Sequence, residues 1–393
     1  MNELQEMKIK AEKVIEENKG KMVDLGSEIH ENPELSYEEY NSQQLLVEEL
    51  ESQGFSVETG IAGLDTSFRA IYEGSKAEPI ICLMVEYDAL EDLGHACGHN
   101  LSGVASVGAA IAAKEIIESY NLSGSVIALG TPGEELYSGK IPMLEAGVFD
   151  EVDVAMMTHM FDRTVIDPTF IAMDGLEFTF HGRSSHAGGA PEKGVNALNG
   201  IIQTFENINA LRQHVKDGVR IHGIITDGGS AINIVPEESA ARFFVRADNR
   251  EYLDEVVNKV RRCGEGAAVA TGTEVEFNIF ESNDDLENNP VLTALFDENI
   301  RRYTKDVTGT MEEAIGSTDV GDVSKVVPTI HPMVSITSEG TALHTKEFAK
   351  ATASQEGFEG MINASKALAL TAIDLIVEKN FLNRAWSVFN ERK

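Results

Sequence analysis

Residues 93–100, LGHACGHN, place a cysteine between two histidines. The thiolate of Cys97 and the imidazole of His99 are both good ligands for zinc-like ions, and their C-x-H spacing can direct them at one point. The same residues admit a second chemistry, in which Cys97 is a nucleophile and His95 or His99 is its base. This segment alone therefore leaves both a metal site and a thiol nucleophile open.

Two adjacent glutamates, Glu134 and Glu135, come directly after the sequence GTPG. Carboxylates this close repel each other unless a cation or a shared proton compensates their charges. One of them can then bind a cation while the other accepts a proton from water. A metal-activated hydrolase needs such a pair and a thiol hydrolase does not, so the glutamates favour the metal site.

An alternating series of strands and helices must position these side chains. Continuous apolar runs predict buried strands over 79–88, 123–132 and 152–160, with helices over 101–119 and 139–146 between them. Such a βαβαβ series implies a parallel sheet with helices on its faces.

Polar side chains follow each predicted strand at the point where it ends. The first strand is followed by Asp88, Cys97 and His99, the second by Glu134 and Glu135, and the third ends at His159. In open parallel sheets, ligands bind at the carboxyl ends of the strands. The sequence therefore predicts that these residues meet at one edge of the sheet.

Two further elements precede the sheet. Apolar residues at helical spacing predict a helix from near the N-terminus to Asn32-Pro33. Ser36, followed three residues later by Glu39, matches a capping box, so a second helix is predicted to start there and to end at Gln53.

Beyond residue 175 the predicted elements follow the order β-α-β-β-α-β, which is that of a small ferredoxin-like α+β sandwich. We therefore predict an α/β protein with a mainly parallel-sheet domain formed by residues 1–175 and 287–393. The second domain, residues 176–286, is inserted into the first, and the polar stretch 281–290 is the linker back.

Composition limits the class of partner and the compartment. The chain has 393 residues and a net charge of 32 − 65 = −33. A surface this acidic repels nucleic acid and anionic membranes. Three cysteines give no disulfide framework, the N-terminal segment has no apolar signal core, and no run of about 18 apolar residues suggests a membrane span. We expect a cytoplasmic protein.

Six motifs occur in order along the chain: GHACGHN, GTPGEE, MMTHM, GRSSHAGGAPEKGVNAL, NIVP and HTKEF. Together they resemble the motifs of the aminoacylase and carboxypeptidase-like metallopeptidases. The amidohydrolase branch that includes aminobenzoyl-glutamate hydrolase and the β-alanyl-lysine type dipeptidases is the most similar. The resemblance covers nearly the whole chain, from HENPELSYEE to the C-terminal helix.

The resemblance implies a parallel-sheet catalytic domain with a centre of two divalent metal ions. The residues that match its ligands are Cys97, His99, Glu135, His159 and His344. By the same match, Glu134 is the general base and Asp88 orients a ligand from behind.

The resemblance also implies a lid domain that forms a homodimer. His186, in SSHAGG, matches a histidine that reaches the active site of the partner subunit and polarises the scissile carbonyl. Asn233, in NIVP, matches a residue that contacts substrate, and a looser match places Arg246 at a substrate carboxylate.

Two departures from the family pattern leave the substrate open. Asn100 stands where many relatives have Asp, and Glu86-Tyr87-Asp88 stands where other relatives have a His-x-Asp ligand pair. Asp319 lies in a family-like motif, GSTDVGDVS, without an assigned role. The histidines interpreted as structural are His30, His181, His214, His222 and His331.

The predicted function is hydrolysis of the amide bond of a small N-acyl amino acid, a dipeptide or an aminobenzoyl-glutamate-like conjugate by metal-activated water. Zinc and manganese are the expected metals, and cobalt or nickel would fit the same ligand types. Two alternatives come from other classes: a hydrolase that uses Cys97 as nucleophile, and a non-catalytic binding or scaffold protein of the same fold.

Overall fold

The computed structural model describes residues 3–392, apart from the side chain of residue 312, and these residues form two units. The larger unit contains the described residues up to Thr169, Glu287–Ile315 and the described residues from Asp322 onward. The smaller unit contains Phe170–Leu286 and Gly316–Gly321.

The boundaries of the smaller unit differ from the predicted 176–286. Its first strand already pairs at Ala172, which lies opposite Ala247. Residues 316–321 join it because the Ile171 N–H donates to the Gly316 carbonyl over 3.0 Å. Neither contact has a local signal in the sequence.

Helices and strands are numbered along the chain. The helices are α1 (Glu3–Glu31), α2 (Tyr40–Ser52), α3 (His99–Ser119), α4 (Glu134–Tyr137), α5 (Lys140–Glu145), α6 (Ala197–Leu211), α7 (Arg250–Thr271), α8 (Pro290–Ile300), α9 (Val320–Ser324), α10 (Lys346–Ala351), α11 (Gln355–Val377) and α12 (Lys379–Glu391). The strands are β1 (Ser56–Thr59), β2 (Phe68–Glu73), β3 (Ile80–Val85), β4 (Ser125–Gly130), β5 (Val154–Met156), β6 (His159–Phe161), β7 (Thr164–Phe170), β8 (Ala172–His181), β9 (Arg220–Asp227), β10 (Glu238–Ala247), β11 (Glu274–Asn283), β12 (Val307–Gly316), β13 (Thr329–Ile330) and β14 (Met333–Ser335).

A six-stranded sheet in the order β1-β2-β4-β3-β5-β13 lies in the larger unit. Strand β3 pairs in parallel with β4 and β5, and β5 pairs in parallel with β13. Strands β1 and β2 form an antiparallel edge. All side chains of β3 and β4 are buried, as continuous apolar runs in a covered parallel sheet should be. The predicted α/β architecture is confirmed.

The predicted third strand, 152–160, is wrong as a single element. It divides into β5, in the six-stranded sheet, and β6, which pairs in parallel with β14 in a second sheet of order β12-β7-β14-β6. The chain changes sheets between Met156 and His159, so His159 begins β6 instead of ending β5. An apolar run with no alternation cannot show such a change, because both strands are buried on both faces.

Helix α11 packs against α1, α3 and α8 in the core of the larger unit. It is long and apolar enough to cross a membrane, but 89% of its most apolar window is buried inside the protein. Its composition is therefore that of a core helix.

The predicted capping box at the start of α2 is wrong. Helix α2 begins at Tyr40, and the two residues of the pattern turn to other elements: Ser36 Oγ donates to Asp88, and the carboxylate of Glu39 accepts from Gly133 and Thr66. Both side chains are buried, so tertiary hydrogen bonds replace the local cap.

The smaller unit confirms the predicted β-α-β-β-α-β order. Its sheet, β11-β8-β10-β9, is antiparallel throughout, and α6 and α7 pack on it around Phe178 and Phe243. The predicted linker 281–290 is shorter than expected, because β11 continues to Asn283 and α8 begins at Pro290.

Candidate metal centre

The turn that carries Cys97 and His99 lies between β3 and α3, and Gly98 shapes it. Gly98 precedes α3 with a φ of 92°, and a Cβ atom there would lie 2.8 Å from Cβ of Met160. Only glycine adopts this conformation at such close approach without strain. The glycine thereby presents Cys97 and His99 on consecutive sides of one tight turn.

The thiol of Cys97 is the meeting point of two histidines from distant parts of the chain. Its Sγ atom lies 3.2 Å from Nε2 of His159 and 3.3 Å from Nε2 of His344. His344 Nε2 also lies 3.7 Å from a carboxylate oxygen of Glu135.

The ligating atoms form two overlapping groups, each with all its atoms within 4.8 Å of one another. One group is Cys97, His99 and His159; the other is Cys97, Glu135 and His344. Ligand atoms about 2.0–2.3 Å from a zinc ion lie within such distances of each other. Two groups that share one thiol match the donor set of a two-ion centre, and His99 also groups with Glu134 and Glu135.

Asp88 holds this arrangement from behind. Its Oδ1 lies 2.9 Å from Nδ1 of His99, which leaves Nε2 of that ring for a ligand role. Its Oδ2 accepts from Ser36 Oγ (2.8 Å) and from the Glu135 N–H (2.9 Å). One buried carboxylate therefore orients two of the candidate ligands, in the role predicted for it.

The electrostatics suit a cation better than a thiolate nucleophile. Burial, reinforced by the carboxylate of Glu135, raises the pKa of Cys97 well above its usual range. A raised pKa keeps a nucleophilic thiol protonated, whereas a bound divalent ion deprotonates a coordinating thiol outright. Burial also raises the pKa of Glu135, whose Oε1 atom is buried with no hydrogen-bond partner among the described residues. The donor set therefore fits a metal.

The likeness to known proteins agrees with this geometry. Residues 173–271 match the peptidase dimerisation domain of the M20 type. Over 397 aligned residues the chain is 34% identical to the Xaa-Arg dipeptidase of Mus musculus, in an alignment that covers 97% of this chain and 91% of the relative. The chain belongs to the M20 family of peptidases. The predicted family, and with it an amide-bond hydrolase, is confirmed.

Other members of the M20 family extend the comparison. A p-aminobenzoyl-glutamate hydrolase of Escherichia coli K12 is 28% identical, over 94% of this chain and 92% of the relative. The structure of a dinuclear metal-binding M20 peptidase from Bacillus subtilis superposes with a TM-score of 0.68 at 19% identity, covering 92% of this chain and 99% of that one. This last likeness confirms the M20 fold.

Three residues of the centre were not predicted. Glu86 Oε1 accepts from the buried ammonium of Lys140 (2.6 Å), and Glu86 Oε2 lies 3.4 Å from Nε2 of His99. Burial alone would raise the pKa of Glu86, but Lys140 and the neighbouring His99 lower it to about 2. The ring of His331, interpreted as structural, lies 5.8 Å from that of His159. An acidic residue inside the apolar run PIICLMVEYD was the one sequence signal for a buried ion pair.

His344 is held by its backbone. Its φ is 59°, in the left-handed region, and its N–H donates to the Ala96 carbonyl over 3.0 Å. Such a conformation in a non-glycine residue is uncommon and costs energy, and it occurs at functional sites where the surroundings enforce it.

Asn100 points away from the centre. Its Nδ2 donates to the carbonyls of Gly26 (3.0 Å) and Thr352 (3.2 Å). An aspartate in this place would set a carboxylate against two carbonyl oxygens, so the departure from the family pattern is explained by packing between α1 and the segment after α10.

The predicted lid residues lie in the smaller unit. His186 and Asn233 are exposed neighbours, since residue 186 bridges Ile234 and the Ala187 N–H donates to the Asn233 carbonyl over 3.0 Å. Arg246, on β10, donates to Ser317 Oγ over 3.1 Å. Asp319 is buried in the same unit. The larger unit brings together the seven other predicted residues: Asp88, Cys97, His99, Glu134, Glu135, His159 and His344.

Proposed function

We propose that this M20 peptidase is a two-metal dipeptidase that hydrolyses the amide bond of small dipeptides. The observation that carries the proposal is the pair of ligand groups sharing Cys97, with Glu134 and Glu135 grouped beside His99. When bound, two divalent ions supply a water of lowered pKa and polarise the scissile carbonyl. Zinc and manganese are the first candidates, because this set of thiol, imidazole and carboxylate ligands fits both.

The chain's own residues divide the remaining work. Cys97, His99, Glu135, His159 and His344 would hold the ions. Glu134 accepts the proton of the attacking water and returns it to the leaving nitrogen, which is the general acid–base role that the neighbouring Glu135 leaves to it. Asp88 keeps the ring of His99 in the required tautomer.

The lid residues act, in this proposal, within a homodimer. The match to a peptidase dimerisation domain supports self-association of residues 173–271. His186 of the partner subunit would then polarise the carbonyl, and Asn233 and Arg246 would contact the substrate. Mixing His186→Ala and Glu134→Gln subunits tests this: activity should return in the mixed dimer, and verified subunit exchange without recovery would exclude the role in trans.

Substrates with a basic C-terminal residue are the first class to test. A relative that is 34% identical is named an Xaa-Arg dipeptidase, and a net charge of −33 attracts cationic substrates and repels anionic glutamate conjugates. We further propose a cytoplasmic location, which the free state of Cys82, Cys97 and Cys263 supports.

The deciding experiment is amine release from a panel of dipeptides and N-acyl amino acids, including Xaa-Arg, Xaa-Lys and aminobenzoyl-glutamate. Each is assayed with added zinc or manganese and with chelator. Metal-dependent release that is fastest for basic dipeptides supports the proposal. Release that survives complete chelation but not alkylation of Cys97 would favour the thiol hydrolase instead.

A further inference from the structure

The segment Ser36–Glu39, between α1 and α2, lies against the glutamate-bearing turn. Its last residue, Glu39, is fully buried. Glu39 Oε1 accepts from the N–H of Gly133 over 2.9 Å, and Oε2 accepts from Thr66 Oγ1 over 2.7 Å. Gly133 immediately precedes Glu134, so a buried carboxylate holds the backbone that carries the proposed general base.

An aromatic ring of the same segment closes on this turn. Gly133 has a φ of 76°, and a Cβ atom there would lie 2.6 Å from Cε1 of Tyr37. The Tyr37 ring also stacks on Tyr137, the last residue of α4, with centroids 4.9 Å apart and planes 9° apart. The turn therefore has a hydrogen bond at its first residue and a packed ring along its length.

The first residue of the segment reaches the same turn by a second route. Ser36 Oγ donates to Asp88 Oδ2, and this same oxygen accepts from the N–H of Glu135. Ser36 thus fixes the carboxylate that holds both Glu135 and the ring of His99.

We propose that Glu39 and Ser36 are positioning residues of this centre: Glu39 fixes the Gly133 amide that aims Glu134, and Ser36 fixes Asp88. The inference builds on the proposed roles of Glu134 and Glu135. It explains why two hydrophilic side chains of an apparent capping box are buried away from the helix they precede. Neither residue touches substrate or metal; both act through the backbone and through Asp88.

Glutamine and methionine at position 39 separate the hydrogen bond from the bulk of the side chain. Glu39→Gln keeps an oxygen for the Gly133 N–H and sets its amide opposite the Thr66 hydroxyl, which can accept. Glu39→Met keeps the length but leaves that N–H buried without an acceptor. The control is Glu49→Met, because Glu49 is a second buried glutamate, on α2, whose Oε1 accepts from Gln53 at the end of that helix (3.0 Å).

The first readout is hydrogen exchange of residues 131–137, which needs no activity. We expect faster exchange of this peptide in Glu39→Met and no change in Glu39→Gln or Glu49→Met, because loss of the bond lowers the local opening free energy. The second readout is steady-state dipeptide hydrolysis at verified metal content. There, kcat of Glu39→Met should fall about 10- to 100-fold with KM and metal content unchanged, and Glu39→Gln should restore it.

Unchanged exchange in a folded Glu39→Met protein would overturn the inference, as would equal defects in the Gln and Met variants. If Glu39→Met does not fold, Ser36→Ala gives the same test: faster exchange of the peptide containing Glu135 supports the inference, and unchanged exchange contradicts it. If the wild-type protein hydrolyses no amide but the exchange pattern is as expected, the held turn stands and only the proposed function fails.

Discussion

His344 Nε2 lies 3.3 Å from Sγ of Cys97, although 247 positions separate the two residues in the sequence. His159 approaches the same sulphur from another strand, at 3.2 Å. One thiol therefore lies at the junction of two ligand groups, and the centre should depend on it more than on any single histidine.

Replacement of Cys97 should disrupt both metal positions at once. We expect Cys97→Ala to bind fewer ions per subunit, and more weakly, than the wild-type protein, because both groups lose a shared ligand. Metal analysis after dialysis against a weak chelator measures this. Cys263→Ala, a half-buried cysteine of the smaller unit, is the control and should keep full metal content. Full, tight occupancy in Cys97→Ala would show that the thiol is not a ligand.

Asp88 should affect metal affinity without being a ligand. In Asp88→Asn the new amide group faces either the His99 ring or the Glu135 N–H, so one of these bonds is lost. We expect metal affinity to fall about 10- to 100-fold, as is usual for groups that orient a ligating histidine. Competition with a fluorescent chelator gives the affinity. The exposed Asp92→Asn is the control, and an unchanged affinity in Asp88→Asn would remove Asp88 from this role.

The buried pair of Lys140 and Glu86 should be costly to break from one side. Lys140→Met leaves the Glu86 carboxylate buried and uncompensated, so the free energy of unfolding should fall by about 3–5 kcal/mol. The double variant Lys140→Met/Glu86→Gln should recover much of this loss. Denaturant unfolding measures both. Lys13→Met, which removes an exposed i,i+4 partner of Glu17, should cost at most about 0.5 kcal/mol. Equal effects of the two lysine variants would contradict the buried pair.

Glu39 should make stability depend on pH. Burial, together with the like charge of Asp88, raises the pKa of Glu39 to about 7 against the lowering effect of Thr66. The folded state then binds a proton that the unfolded state has lost, so between about pH 4.5 and pH 7 this group lowers the free energy of unfolding as pH rises. The loss amounts to at most about 3 kcal/mol. Glu39→Gln should flatten the profile in that window; a parallel profile in wild type and variant would contradict the raised pKa.

The parts of the centre that follow strands were predictable, and the parts that depend on tertiary partners were not. Asp88, Cys97 and Glu135 lie at the carboxyl ends of β3 and β4 because a buried parallel strand reads as an apolar run with polar residues just beyond it. His344 lies in a loop with no periodicity, and only the resemblance to a family indicated it.

Partner choice accounts for the errors. Ser36 and Glu39 have the spacing of a capping box, but their acceptor and donors come from the segment after β3, the β1–β2 connection and the β4–α4 turn. Lys140 is fully buried, although a lysine in a short helix ordinarily faces solvent. No local pattern distinguishes these residues from surface ones, because the compensating charge or hydrogen bond comes from a distant segment.

The central claim is that Glu134 is the general base of a two-metal hydrolase, and the turnover of Glu134→Gln at verified metal content tests it most directly. Glutamine keeps the size of the side chain and removes its basicity. We predict unchanged metal content and a fall in kcat of at least about 100-fold on the best dipeptide of the panel. Turnover within about tenfold of the wild-type rate, at the same metal content, would contradict this role of Glu134.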